Sequence, residues 1–165
     1  EVGPGALTSI GQAMEQARAG DTVRVAPGDY AEQIRLKTGV TVVGDQAVLT
    51  AAPGAPEPVV TAENIQAARV EGLQIRSEGT YAVGIRVHDS DVDLARMRVS
   101  HADRGVVFSG QSKGRLYASA FTANAIPVSV TDSACPQIEH IALDFNKTGI
   151  EWRSSKPQPQ PEAPK

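Results

Sequence analysis

A repeat of 22 residues limits what this chain can fold into more than any other feature of its sequence. From residue 70 onward, apolar pairs two residues apart recur. Leu73/Ile75, Met97/Val99, Ser119/Phe121 and Ile141/Leu143 form one series, spaced by 24, 22 and 22. Ile85/Val87, Val106/Phe108, Val128/Val130 and Ile150/Trp152 form a second, spaced by 21, 22 and 22, and Leu94, Leu116 and Ile138 a third. Apolar residues two apart are the mark of a strand with one face inward. Three short strands per period, parted by corners such as Asp89-Ser90, Ser109-Gly110 and Thr131-Asp132, describe one turn of a three-sided solenoid. One turn cannot bury its inward side chains, whereas turns stacked about 4.8 Å apart share a continuous apolar column. A β-sandwich also has closely spaced strands, but it does not hold separate apolar registers at 22 over successive periods. The expected fold is all-β, a single-stranded right-handed parallel β-helix of about five coils.

Aromatic residues make up only 4% of the chain, so the core must be filled by small and β-branched side chains, which suits narrow stacked strands. Ahead of the coils, Thr8-Ser9 can cap a helix over 8–19 in which Ile10, Ala13, Met14 and Ala17 share one face and Gly20 is the stop. A solenoid end exposes unpaired strand edges and open core, so an amphipathic helix laid across it is expected. The segment AAPGAPEP, residues 51–58, reads as an insertion that protrudes from one coil. The chain thus divides into an N-terminal segment and capping helix (1–20), the β-helix (21–153) and a Pro-rich disordered or extended tail (154–165). That tail, and a start at Glu1 rather than Met, give the expectation of one domain cut from a longer polypeptide, with another domain of the same chain as a partner.

The net charge of -3 argues against nucleic acid as a partner, and no apolar run is long enough for membrane insertion. The lone cysteine, Cys135, excludes an internal disulfide framework and a cysteine-rich zinc site; it reads as a structural thiol at a corner. The run TSIGQAMEQARAGDTVRVAPGDYAEQIRLKTGVTVVGD, residues 8–45, resembles the opening of pectin-lyase-like right-handed β-helix proteins. In that opening a short helix is followed by a "GDTIxVxPGxYxExIxI" pattern, matched here through Pro27-Gly28, Tyr30 and Glu32. The resemblance implies the fold. It does not imply an activity, because that superfamily includes lyases, hydrolases, esterases and members with no known chemistry.

Within the superfamily, pectin methylesterases carry a "QAVAL" segment and an "FQDTLY" segment, whose equivalents here are Tyr81–Ile85 and His101–Gly105. Asp103 falls at the acid position. Tyr81 and Ala102 replace the two glutamines, and no aspartate stands near Asn124 or Ala125, where the nucleophile is expected. The methylesterase chemistry is therefore not expected, and Asp103, His101 and Arg98 are kept only as weak catalytic candidates. A calcium site of the lyase kind needs clustered carboxylates. The dense run Asp89-Ser-Asp91-Val-Asp93 is a weak metal candidate, because Leu94 occupies the glycine position and Ser100 the final glutamate position of a calcium loop. His88, His101 and His140 read as surface histidines beside corners, with no Ser/His/Asp set assembled around them, and Trp152 as a cover for the C-terminal end of the core. No cofactor is expected.

Residues beside the inward pairs should face outward, and they include Arg76, Arg96, Arg98, Gln74, Tyr117 and His140. Together they suggest a modest basic face suited to a polysaccharide or another anionic ligand, because guanidinium forks match carboxylates. The function expected from sequence is a non-catalytic module of a larger bacterial protein with a sensor or accessory role; the sequence leaves its compartment open, an extracellular or periplasmic setting being favoured over that of a cytoplasmic accessory domain. The alternatives are a polysaccharide-active enzyme with an unrecognised site and a structural or interaction domain.

Overall fold

The computed structural model describes residues 2, 7–51, 58–79 and 82–159. Within them the chain winds through six coils of three strands, one more than the repeat suggests. The first coil holds β1 (Thr22–Val25), β2 (Gly28–Tyr30) and β3 (Ile34–Arg35), and the second β4 (Thr41–Gly44), β5 (Ala47–Thr50) and β6 (Val60–Glu63). The third holds β7 (Ala68–Glu71), β8 (Gln74–Arg76) and β9 (Val83–His88), and the fourth β10 (Asp91–Ala95), β11 (Arg98–Ser100) and β12 (Arg104–Ser109). The fifth holds β13 (Lys113–Tyr117), β14 (Ala120–Thr122) and β15 (Ile126–Val130), and the sixth β16 (Gln137–Glu139), β17 (Ala142–Asp144) and β18 (Glu151–Trp152). Every third strand stacks in parallel, giving three six-stranded sheets: β1-β4-β7-β10-β13-β16, β2-β5-β8-β11-β14-β17 and β3-β6-β9-β12-β15-β18. These are called here the first, second and third sheets.

Along the first sheet Thr22 pairs with Thr41, Thr41 with Arg69, Arg69 with Asp93, Asp93 with Arg115 and Arg115 with Gln137. The steps are 19, 28, 24, 22 and 22 residues, so the early coils break the period, which is why a count made from the repeat falls short. The inward columns are those the apolar registers describe. Leu49, Ile75, Val99 and Phe121 stack along the second sheet, and Ile85/Val87, Val106/Phe108 and Val128/Val130 along the third, all buried. Polar ladders at the corners run parallel to this core. Asn124 Oδ1 accepts from Ala102 N at 3.0 Å, its Nδ2 donates to Val99 O at 3.0 Å, and Asn146 repeats the pattern one coil on. Ser112 does the same at a second corner, and at the third Ser119 Oγ accepts from Met97 N of the preceding coil while donating to Tyr117 O of its own. Among the described residues no buried side-chain polar atom is left without a partner, so these corners avoid the desolvation cost of an orphaned group.

The two ends of the stack differ. At the N-terminal end α1 (Ile10–Gln16), shorter than the 8–19 expected, lays Ile10, Ala13 and Met14 on the core. The Glu32 carboxylate accepts from Ser9 Oγ at 2.9 Å and from the backbone N–H groups of Ile10 (3.2 Å) and Gly11 (3.0 Å), which pins the helix to the first coil. Glu32→Ala removes all three bonds and is expected to cost about 1.5–3 kcal/mol. Hydrogen exchange should show the loss concentrated in residues 10–16; uniform protection across the helix would contradict it. At the C-terminal end Leu143 is 38% exposed and Phe145 90% exposed, while Trp152 packs half-buried against the core and donates through Nε1 to Lys156 O. The first residues after β18 remain on the solenoid path: Ser155 N donates to Asp132 O, and Ser154 Oγ to Ala134 O. The described part of the Pro-rich segment thus begins as a further corner, and residues 160–165 lie outside the described set, as do residues 52–57 of the insertion.

Candidate functional site

Six two-residue links join the first sheet to the second. In four of them the first residue has a positive φ, Gly72, Arg96, Ala118 and His140, and in a fifth the second does, Gln46. Arg96 and His140, expected to flank strands on a sheet face, stand instead at this left-handed corner. The local backbone, rather than strand alternation, sets where their side chains point.

Beside this corner the second to fourth coils enclose a depression of about 550 Å³ lined by Val43, Gly44, Asp45, Gln46, Gly72, Gln74, Arg96 and Arg98. Its floor follows from glycine. A Cβ on Gly72 would lie 2.1 Å from Gly44 O, and one on Gly44 would lie 2.3 Å from Leu73 Cδ2. Its basic wall is unevenly engaged. Arg96 forms an ion pair with Glu71, and Arg69 binds the same carboxylate through Nε and Nη2 while donating to Tyr117 Oη at 2.8 Å. Arg115 covers the Tyr117 ring, 4.7 Å from its centre. Arg98 is different: exposed, paired in register with Gln74, and with no side-chain hydrogen bond or ion pair among the described residues.

Of the six residues expected to bind ligand, the structure thus gathers Gln74, Arg96 and Arg98 at one depression. Arg76 lies on the same sheet but is held by Glu78 at 2.7 Å. Tyr117 belongs to the first-sheet network, and His140 to the exposed corner of the last coil. The catalytic candidates Asp103 and His101 occupy the link between β11 and β12, His101 with a positive φ, and no hydrogen bond or ion pair joins their side chains to each other or to Arg98. The run Asp89, Asp91, Asp93 is split. Asp89 turns the corner and accepts from Gln111 N, whereas Asp91 and Asp93 lie on β10, where Asp93 accepts from Arg115 N. Among the described residues no three His, Cys, Asp or Glu side chains form a group that could hold a metal ion. Cys135 is half-buried, its Sγ 3.6 Å from Pro157 O. Tyr81 lies outside the described residues.

One contact escaped the sequence reading. His88 and Ser109 are register partners on β9 and β12, and His88 Nδ1 lies 2.9 Å from Ser109 Oγ while its Nε2 lies 3.2 Å from Asp89 Oδ2. The signal was the 21-residue step of the third-sheet register, which places residue 109 beside residue 88.

No known family's sequence profile matches the chain, and no curated protein matches it in sequence. Among solved structures it is similar to the pectin methylesterase from Yersinia enterocolitica, with a TM-score of 0.67 and 15% sequence identity over 82% of this chain. The match spans 55% of that enzyme's chain, so this chain corresponds to little more than half of it. At this identity the likeness is one of fold, the right-handed parallel β-helix of the pectin-lyase-like kind.

Proposed function

We propose that this chain is a ligand-binding β-helix module of a larger bacterial protein, with a sensor or accessory role. Its depression beside Arg98 holds a carbohydrate or another anionic ligand. The observation that carries this reading is Arg98, an exposed guanidinium without a partner among the described residues, beside Gln74 and above a floor where Gly44 and Gly72 let two coils approach closely. Glu71 pairs with both Arg69 and Arg96, which leaves that trio a net charge of +1, and Arg98 adds a positive charge that no side chain among the described residues engages. Its planar fork fits a carboxylate or a comparable anion, and the Gln74 amide can donate to or accept from a hydroxyl. The neighbour in fold is an enzyme of pectin, a polymer of carboxylated sugars, which agrees with this ligand class.

A glycan array followed by calorimetry tests the proposal. Binding to an acidic glycan should weaken roughly 10- to 100-fold in Arg98→Ala, the loss expected of one charge-assisted contact. The melting temperature should stay unchanged, because the side chain is exposed. Binding insensitive to Arg98, or none to any acidic or neutral glycan, would count against it.

A further inference from the structure

We infer that Ser109, His88 and Asp89 form a nucleophilic site on the outer edge of the third sheet, able to take an acyl group from small esters. The inference is independent of the binding depression.

A reactive serine needs a base at its hydroxyl and a group that fixes the tautomer of that base. Both are present. Asp89 Oδ2 lies 3.2 Å from His88 Nε2, a placement that favours the tautomer with its proton on this nitrogen. In that tautomer Nδ1 is a lone-pair acceptor, 2.9 Å from Ser109 Oγ, and the hydroxyl donates to it. The carboxylate is itself held, because Gln111 N donates to Asp89 Oδ1 at 2.8 Å. The neighbouring residue is a glycine at φ +65, where a Cβ would lie 2.1 Å from that oxygen; Gly110 is what lets the carboxylate sit there. The side chains of His88 and Asp89 are 31% and 42% exposed, so an ester can approach from solvent.

In the reaction, Ser109 Oγ bonds to the carbonyl carbon as its proton passes to His88 Nδ1. The tetrahedral adduct expels the alcohol, which takes that proton. Water then attacks the acyl-serine, giving its proton to the same nitrogen, and the carboxylic acid leaves as the Ser109 hydroxyl is restored. The backbone N–H groups of Gly110 and Gln111 are already committed to Asp132 and Asp89, so they supply no oxyanion hole. The cation within reach is Arg86, exposed and without a side-chain partner among the described residues. It lies two residues before His88, opposite Val107 in register, and so diagonal to Ser109. An open edge of this kind suits a small acyl group carried on a larger molecule rather than a long acyl chain.

The test is labelling by a fluorophosphonate probe, with p-nitrophenyl acetate turnover in parallel. The adduct should map to Ser109 and vanish in Ser109→Ala. In His88→Ala labelling should slow about 100-fold and recover with added imidazole, which a purely structural role would not allow. Nitrogen NMR should show His88 protonated at Nε2 in the wild type, and in Asp89→Asn a shift toward the Nδ1–H tautomer. The inference is overturned by absence of a Ser109 adduct, by His88→Ala labelling at the wild-type rate, or by a wild-type ring protonated at Nδ1.

Discussion

Phe121→Asp is expected to unfold this chain, whereas Leu143→Asp, one coil further along the same inward column, is expected to leave it folded. The two positions are register partners on β14 and β17, both large apolar residues of one inward column, and they differ chiefly in depth. Phe121 is fully buried between Val99 and Leu143. An aspartate there loses the ring's contacts, opens a cavity, and strands a carboxylate among apolar neighbours. Truncation alone costs about 3–5 kcal/mol, and the unpaired charge adds several more, against a total of roughly 5–15 kcal/mol for a domain. Leu143 ends the column with 38% of its surface exposed, so a charge there reaches water. Circular dichroism and thermal melts of the two variants decide the matter. Equal loss of structure in both would mean that the last coil is covered.

The second large effect is expected at Gly72. Its φ of +78 disfavours any other residue, and its missing Cβ is what allows the third coil to lie against Gly44 O. Gly72→Ala adds backbone strain and overpacking together, about 2–6 kcal/mol in sum. Gly20 provides the control. It too has a positive φ, +95, but nothing lies within 4 Å of the Cβ it would gain, so Gly20→Ala is expected to cost only about 1 kcal/mol of conformational strain. A clearly lower melting temperature for Gly72→Ala than for Gly20→Ala is the expected outcome. Equal values would place the cost in the backbone angle alone and not in the close approach of two coils. The same variant should also deform the floor of the depression and weaken acidic-glycan binding without touching Arg98.

The columns were legible in the sequence because burial there depends on a period of two within strands and 22 between them. Both survive in residue type, as Val99, Phe121, Val106 and Val128 show. The corners were less legible. A left-handed residue is usually announced by glycine or asparagine, but here Arg96, Ala118 and His140 fill those positions. Nothing in an arginine says that it turns the chain, so Arg96 was placed on a sheet face. Of the candidate site, the cluster of Gln74, Arg96 and Arg98 could be read because the residues are close in sequence or one coil apart. The floor could not, because it depends on how Gly44 and Gly72 meet across a step of 28 residues. His88 and Ser109 were missed for a related reason: their contact exists only if the third-sheet register is followed to its outward positions.

The link from the first sheet to the second is two residues long in all six coils, while that from the second to the third runs to three, nine, six, three, three and six. Strand pairing on either side is indifferent to that second number. The chain therefore keeps time on one edge and stores length on another. A peptide epitope or a small folded insert spliced between Thr50 and Val60 would shift no strand pairing, whereas a single residue added between Ala95 and Arg98 would put the side chains of β11 on the wrong face.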